Sequence, residues 1–130
     1  MELMAVVLAN RAVLLENEEE ALKSIEAAAR SFPGLPLAWV NKGFLLAGQG
    51  KYEDAIAAYE HALELDPYNP YALNGCARLM QDARNSDTYN PRKSRDMLEN
   101  ALQHIEEPPA FLRNAYRDAV RLCEMERAGK

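Results

Sequence analysis

The chain reads as an all-α solenoid of three antiparallel helix pairs closed by a C-terminal capping helix, and three observations predict it. Ala21 and Ala55, Ile25 and Tyr59, Ala28 and Ala62, and Pro33 and Pro67 are each 34 residues apart. The pattern returns after 39 residues, with Ser94, Leu98 and Ala101 following Ala55, Tyr59 and Ala62. Prolines suited to a first helical turn keep the same steps, Pro36 to Pro70 by 34 and Pro70 to Pro109 by 39. A fixed period of this length marks stacked supersecondary units that bury their faces on one another.

The elements follow in chain order. A first helix is predicted over 2–15. Asn17 with Glu20 three residues on has the form of a capping box, and Glu18 to Glu20 suit the positive end of a helix dipole, so a second helix spans 18–31. Pro36 fits the first position of a helix over 36–48 that Gly50 ends, and Asp66-Pro67 stops the next at 52–65. Asn69-Pro70 supplies an N-cap and first-turn proline for 70–84. Turn-forming residues crowd into 85–90 and take up the extra five positions as a loop. Asn90-Pro91 then opens a helix over 91–105, and the last runs over 109–127. The chain is thus expected to be one domain, 1–130, with units at about 2–35, 36–69 and 70–108 and a capping helix over 109–127.

Composition bounds the function classes. Hydrophobic residues at 48% and charged residues at 27% describe a foldable globular chain. The net charge of -5 argues against a nucleic-acid binder, which needs an excess of Lys and Arg to displace counterions. Residues 1–83 carry -6 and residues 84–130 carry +1, so any attraction for acidic groups is local to the C-terminal third. Cys76 and Cys123 sit at apolar helix positions, not in a C-x-x-C spacing, and read as reduced core thiols. The N-terminus lacks a basic signal-peptide region, and no stretch reaches the length of a membrane span, which predicts a cytoplasmic protein. His61 and His104 have no partner at metal-ligand spacing, and Glu16 to Glu20 form a helix start instead of an acid-base pair. With no Gly-rich phosphate loop, H-E-x-x-H or G-x-S-x-G, no enzyme activity, cofactor or metal is expected.

The middle unit resembles a tetratricopeptide repeat nearly throughout, in Trp39, Gly43, Gly50, Tyr52, Ala55, Tyr59, Ala62 and Pro67. Lys42 departs from the pattern, standing where the family usually has Leu. The resemblance extends to three copies over residues 2–106 and implies a right-handed α-solenoid. Small residues at Gly43 and Ala55 let paired helices approach, and Trp39 and Tyr59 fill the gaps beside them. In the last helix Tyr116 takes the position held by Ala9, Gly43 and Ala77, where a ring obstructs a close partner helix, as suits a cap.

The family's usual site is a concave groove lined by the first helix of each pair, which implies a non-catalytic adaptor binding a protein or peptide segment. By helical register the groove-facing candidates include Val6 and Asn10, then Val40, Asn41 and Phe44, then Tyr71, Asn74 and Arg78, and finally Arg113 and Arg117. The face grades from apolar to basic, with asparagines able to pair with peptide donors and acceptors. A ligand with an apolar anchor and an acidic group is therefore expected, its acid held by Arg78, Arg113 and Arg117. The alternative is that these arginines only keep the surface soluble. The family's carboxylate clamp matches at Asn10 and Asn41, but its basic positions fall on Val6, Tyr71 and Gly75, so that mode is not expected. A second reading comes from the unbroken apolar run Leu3 to Ala9, which favours a self-associating scaffold, a homo-oligomer through the first helix, or cover by an upstream segment.

Overall fold

The computed structural model describes residues 18–85 and 87–129. Six helices follow one another there: α1 (Glu18–Ser31), α2 (Pro36–Gly48), α3 (Tyr52–Leu65), α4 (Pro70–Met80), α5 (Pro91–His104) and α6 (Ala110–Ala128). No strand forms among the described residues. The helix expected over 2–15, the Asn17 cap, Val6, Asn10 and the Leu3 to Ala9 run all lie outside them.

Local chemistry sets the boundaries. At α4 the Asn69 side chain accepts the backbone N–H groups of Tyr71 and Ala72, each at 3.1 Å, and at α5 that of Asn90 accepts Lys93 N–H at 3.1 Å. Past the end of α2, Gly50 adopts a left-handed φ of 78°, while Gly50 N–H bonds Ala47 O and Lys51 N–H bonds Leu46 O. This pair of bonds satisfies carbonyls that the helix end would otherwise leave open. The third unit has no such glycine, and α4 stops at Met80, short of the expected 84. There the Asp82 carboxylate accepts the backbone N–H of Arg84 at 3.0 Å and its guanidinium at 2.8 Å. Such a local side-chain bond offers the backbone a turn in place of another helical residue.

Packing runs between neighbours. α2 pairs with α3, α5 with α6, and α3 and α5 both flank α4, while α1 touches only α2 among the described helices. The centre is the Tyr59 ring, buried between α2 and α4. A Cβ at Gly43 would lie 2.7 Å from its Cε1, and one at Gly75 would lie 2.4 Å from its Cζ, both inside van der Waals contact. Ala55 and Ala62, fully buried, bring α3 close behind the ring. Trp39 covers the same unit from outside, its ring 3.9 Å from that of His61. Lys42 reaches over that indole, with Nζ 5.3 Å from the ring centroid, so its aliphatic stem substitutes for the usual Leu while its ammonium stays near water.

A second cluster joins α4, α5 and α6 through Leu73, Ala77, Leu98, Ala101, Leu112 and Ala115, with Tyr116 packed at its edge. α6 buries one stripe, Leu112, Ala115, Ala119 and Cys123, and exposes Arg113, Asn114, Arg117, Arg121 and Glu124 on the other side. A buried stripe backed by a charged outer face is the pattern expected of a capping helix. Gln81 fastens this end: its Nε2 donates to Ser94 Oγ at 2.9 Å and to Ala115 O at 3.0 Å, and Ser94 Oγ donates to Ala77 O at 3.2 Å. Three helices thereby share a polar tie whose members are all satisfied.

Replacing a mid-helix glycine by alanine ordinarily stabilises by about 1 kcal/mol. At Gly75 the sign reverses, because the added methyl meets a ring held from both sides, and overpacking of this kind costs about 1–3 kcal/mol. Urea unfolding of Gly75→Ala should show a lower midpoint, partly restored by adding Tyr59→Leu. A raised midpoint would mean that the ring does not fill this space.

Candidate functional site

The two rows of helices differ in spacing. α2 touches α4 and α4 touches α6, whereas α1, α3 and α5 make no contact with one another. Helices that meet along one side and part along the other give a stack curved toward the meeting side, so α2, α4 and α6 line its inner face.

Two hollows open on that face and share Phe44. The first, about 700 Å³, lies between α2 and α4 and is lined by Leu37, Val40, Asn41, Phe44, Tyr71 and Asn74, with Tyr59 and Gly75 at its floor. Val40 and Asn41 are buried in its wall, while Phe44 and Tyr71 stand 60% and 63% exposed. Tyr71 stacks on Phe111 of α6 at 5.7 Å between ring centroids. Asn74 Oδ1 is buried with no hydrogen-bond partner among the described residues. Burial first, and then the neighbouring Cys76, push the Tyr59 phenol up to about 12, so it keeps its proton and remains a donor.

The second hollow, about 880 Å³, lies beyond Phe44 where α2 and α4 end against α6. Leu45, Leu79 and Leu122 supply its apolar walls, and its charges are Arg78, Asp82, Arg84, Asp118 and Arg121. Arg78 Nη1 contacts Asp118 Oδ2 at 2.7 Å across the gap between α4 and α6, and donates to Gln81 Oε1 at 3.2 Å. Arg84 Nη2 pairs with Asp82 Oδ2 at 2.8 Å. The hydrogen bond from Arg84 holds the Asp82 carboxyl far below its usual range.

The register thus places Val40, Asn41, Phe44, Tyr71 and Asn74 around one hollow and Arg78 in the other. Arg113 and Arg117 line neither. Arg113 donates to its own chain at Pro108 O, at 3.3 Å, and Arg117 donates to Asn114 Oδ1. Tyr59, Asp118 and Arg121 were not among the sequence candidates. For Tyr59 a signal existed: Gly75 stands 34 residues after Asn41, so the side chain that would roof the ring there is missing. Arg121 continues the four-residue step from Arg113 to Arg117. Asp118 gave no such signal, since its meaning depends on a partner 40 residues away.

Among the described residues, no group of three His, Cys, Asp or Glu is placed to hold a metal ion, and no helix is long and apolar enough to cross a membrane.

The Asp118 carboxyl lies below its ordinary range, chiefly through its hydrogen bond to Arg78, with the charges of Arg121 and Arg117 adding. A depressed folded pKa contributes stability that is present above the unfolded value, about 3.9, and is lost as pH falls through the folded value. In a carboxyl-detected NMR titration Asp118 should therefore titrate late on acidification, and Arg78→Met should move its midpoint upward. An unmoved midpoint would assign the shift to another cause.

A family model described as tetratricopeptide repeat matches residues 36–69, which span α2, α3 and the turn into α4. No curated protein matches the chain.

Proposed function

We propose that this chain, which belongs to the tetratricopeptide repeat family through residues 36–69, is a non-catalytic adaptor that binds an extended segment of a partner protein along the face of α2, α4 and α6. Repeats of this family mediate protein–protein interaction. The observation that carries the finer reading is that two exposed aromatic rings, Phe44 and Tyr71, line a hollow with Asn74, whose Oδ1 has no hydrogen-bond partner among the described residues.

Large aromatic side chains left in water beside a well-formed hollow are what binding anchors look like before the partner arrives. An apolar side chain of the ligand seats between Phe44 and Tyr71 and removes both rings from water. A backbone N–H of the ligand satisfies Asn74 Oδ1, and the Tyr59 hydroxyl offers a donor to a ligand carbonyl. The site thus reads one apolar side chain and the polar backbone beside it, with Val40 and Asn41 shaping the wall. An acidic group completes the ligand at the Arg78 end.

A phage-displayed library of random peptides selected on the full chain should yield binders that share an apolar or aromatic residue. Phe44→Ala with Tyr71→Ala should weaken the selected peptides by at least roughly ten-fold, the scale of losing an interface anchor. Both side chains are exposed, so the far-ultraviolet circular dichroism should not change. Undiminished binding by the double variant would place the ligand elsewhere.

A further inference from the structure

The second hollow contains three guanidinium groups and two carboxylates. Asp118 is held by Arg78 and Asp82 by Arg84, and Arg121 makes no ion pair among the described residues. One positive charge is left over, beside the apolar side chains of Phe44, Leu45, Leu79 and Leu122. Apolar walls help to focus the field of an unpaired cation at the mouth of the hollow. Arg78 is also not used up: both of its hydrogen bonds run through Nη1, and none of the hydrogen bonds found among the described residues uses its Nε or Nη2.

We infer that this hollow receives an acidic side chain of the bound peptide, with Arg121 as its principal contact and Asp118 as a built-in competitor for the Arg78 guanidinium. The inference rests on the peptide-groove reading and moves the acidic contact from Arg113 and Arg117, which face neither hollow, to Arg121 and Arg78. Asp118 presents to Arg78 the same carboxylate that the ligand brings. Its 2.7 Å contact therefore sets a threshold: a ligand carboxylate has to share the guanidinium with Asp118 and approach a second negative charge. A neutral ligand meets no such opposition and gains from Arg121 only the weaker hydrogen bond of an uncharged acceptor. The pair acts as a specificity device, reading the charge of the ligand where the first hollow reads its apolar side chain.

Because Phe44 borders both hollows, one extended segment can fill the first with its apolar side chain and the second with its acid. A peptide suits this arrangement better than a nucleic acid. The leftover charge is a single one, and a chain of net charge -5 repels a polyanion outside that point.

The test uses a selected peptide containing Glu or Asp and its Gln or Asn analogue, measured by fluorescence anisotropy against the full chain and two variants. The unaltered protein should prefer the carboxylate form by roughly ten-fold, the scale of one charge-assisted bond. Arg121→Ala should abolish most of that preference and weaken the amide analogue far less than the acidic peptide. Asp118→Asn, which keeps a hydrogen-bond acceptor for Arg78, should strengthen the acidic peptide by roughly three- to ten-fold and leave the amide peptide unchanged. Thermal unfolding followed by circular dichroism separates loss of fold from loss of binding, and Arg121 is exposed, so its removal should leave the fold intact. Selected peptides that show no carboxylate preference, a preference that survives Arg121→Ala largely intact, or weaker acidic binding in Asp118→Asn each overturn this inference alone. A selection that yields no peptide overturns the groove reading, and this inference with it.

Discussion

The way α2, α3 and α4 fit together depends on the Tyr59 ring lying where two side chains are missing. Gly43 and Gly75 stand on consecutive inner helices, and a methyl on either would occupy the space the ring takes. The ring therefore fixes how α2 and α4 sit relative to α3, and that spacing opens the first hollow. One side chain serves both the packing and the hollow: its buried carbon sets the geometry, and the same residue, its phenol protonated, lines the first hollow. The two uses are compatible because burial, which raises the pKa, also keeps the hydroxyl neutral.

The two ends of the described stack are held differently. At the C-terminal end, Gln81, Ser94 and the Ala115 carbonyl tie three helices with satisfied hydrogen bonds, and the Arg78–Asp118 contact adds a partly exposed link from α4 to α6. Exposed pairs of that kind contribute little to stability on their own. The value of Arg78–Asp118 therefore lies in where it places charge. The tie through Gln81 is the structural fastening, and its buried hydroxyl at Ser94 has a partner in each direction.

Much of this was legible in the sequence, for identifiable reasons. Helix starts at Pro36, Pro70 and Pro91 are local events, set by a proline and the residue before it, and they appear where the pattern put them. The end of α4 was not legible, because Asp82 and Arg84 form a turn in place of the glycine cap used after α2. In the candidate site, register brought Val40, Asn41, Phe44, Tyr71 and Asn74 to one hollow, since residues three and four apart share a helical face. Register alone could not say whether that hollow extends along α6, which depends on the angle between helices. Arg113 and Arg117 therefore face outside it, Arg121 was signalled only by its four-residue step from Arg117, and Asp118, whose role depends on a partner 40 residues away, could not be read at all.

Among the described helices, contacts run only between those that are one or two steps apart in the chain. Such an array behaves as a line of coupled segments, each stabilised by its own packing and by its nearest neighbours. A disturbance at one end fades along the line instead of reaching every part at once. A segment laid across α2, α4 and α6 would bridge helices that otherwise communicate only stepwise. Occupancy would then do more than fill two hollows: it would turn a loosely coupled row into one cooperative unit that melts together.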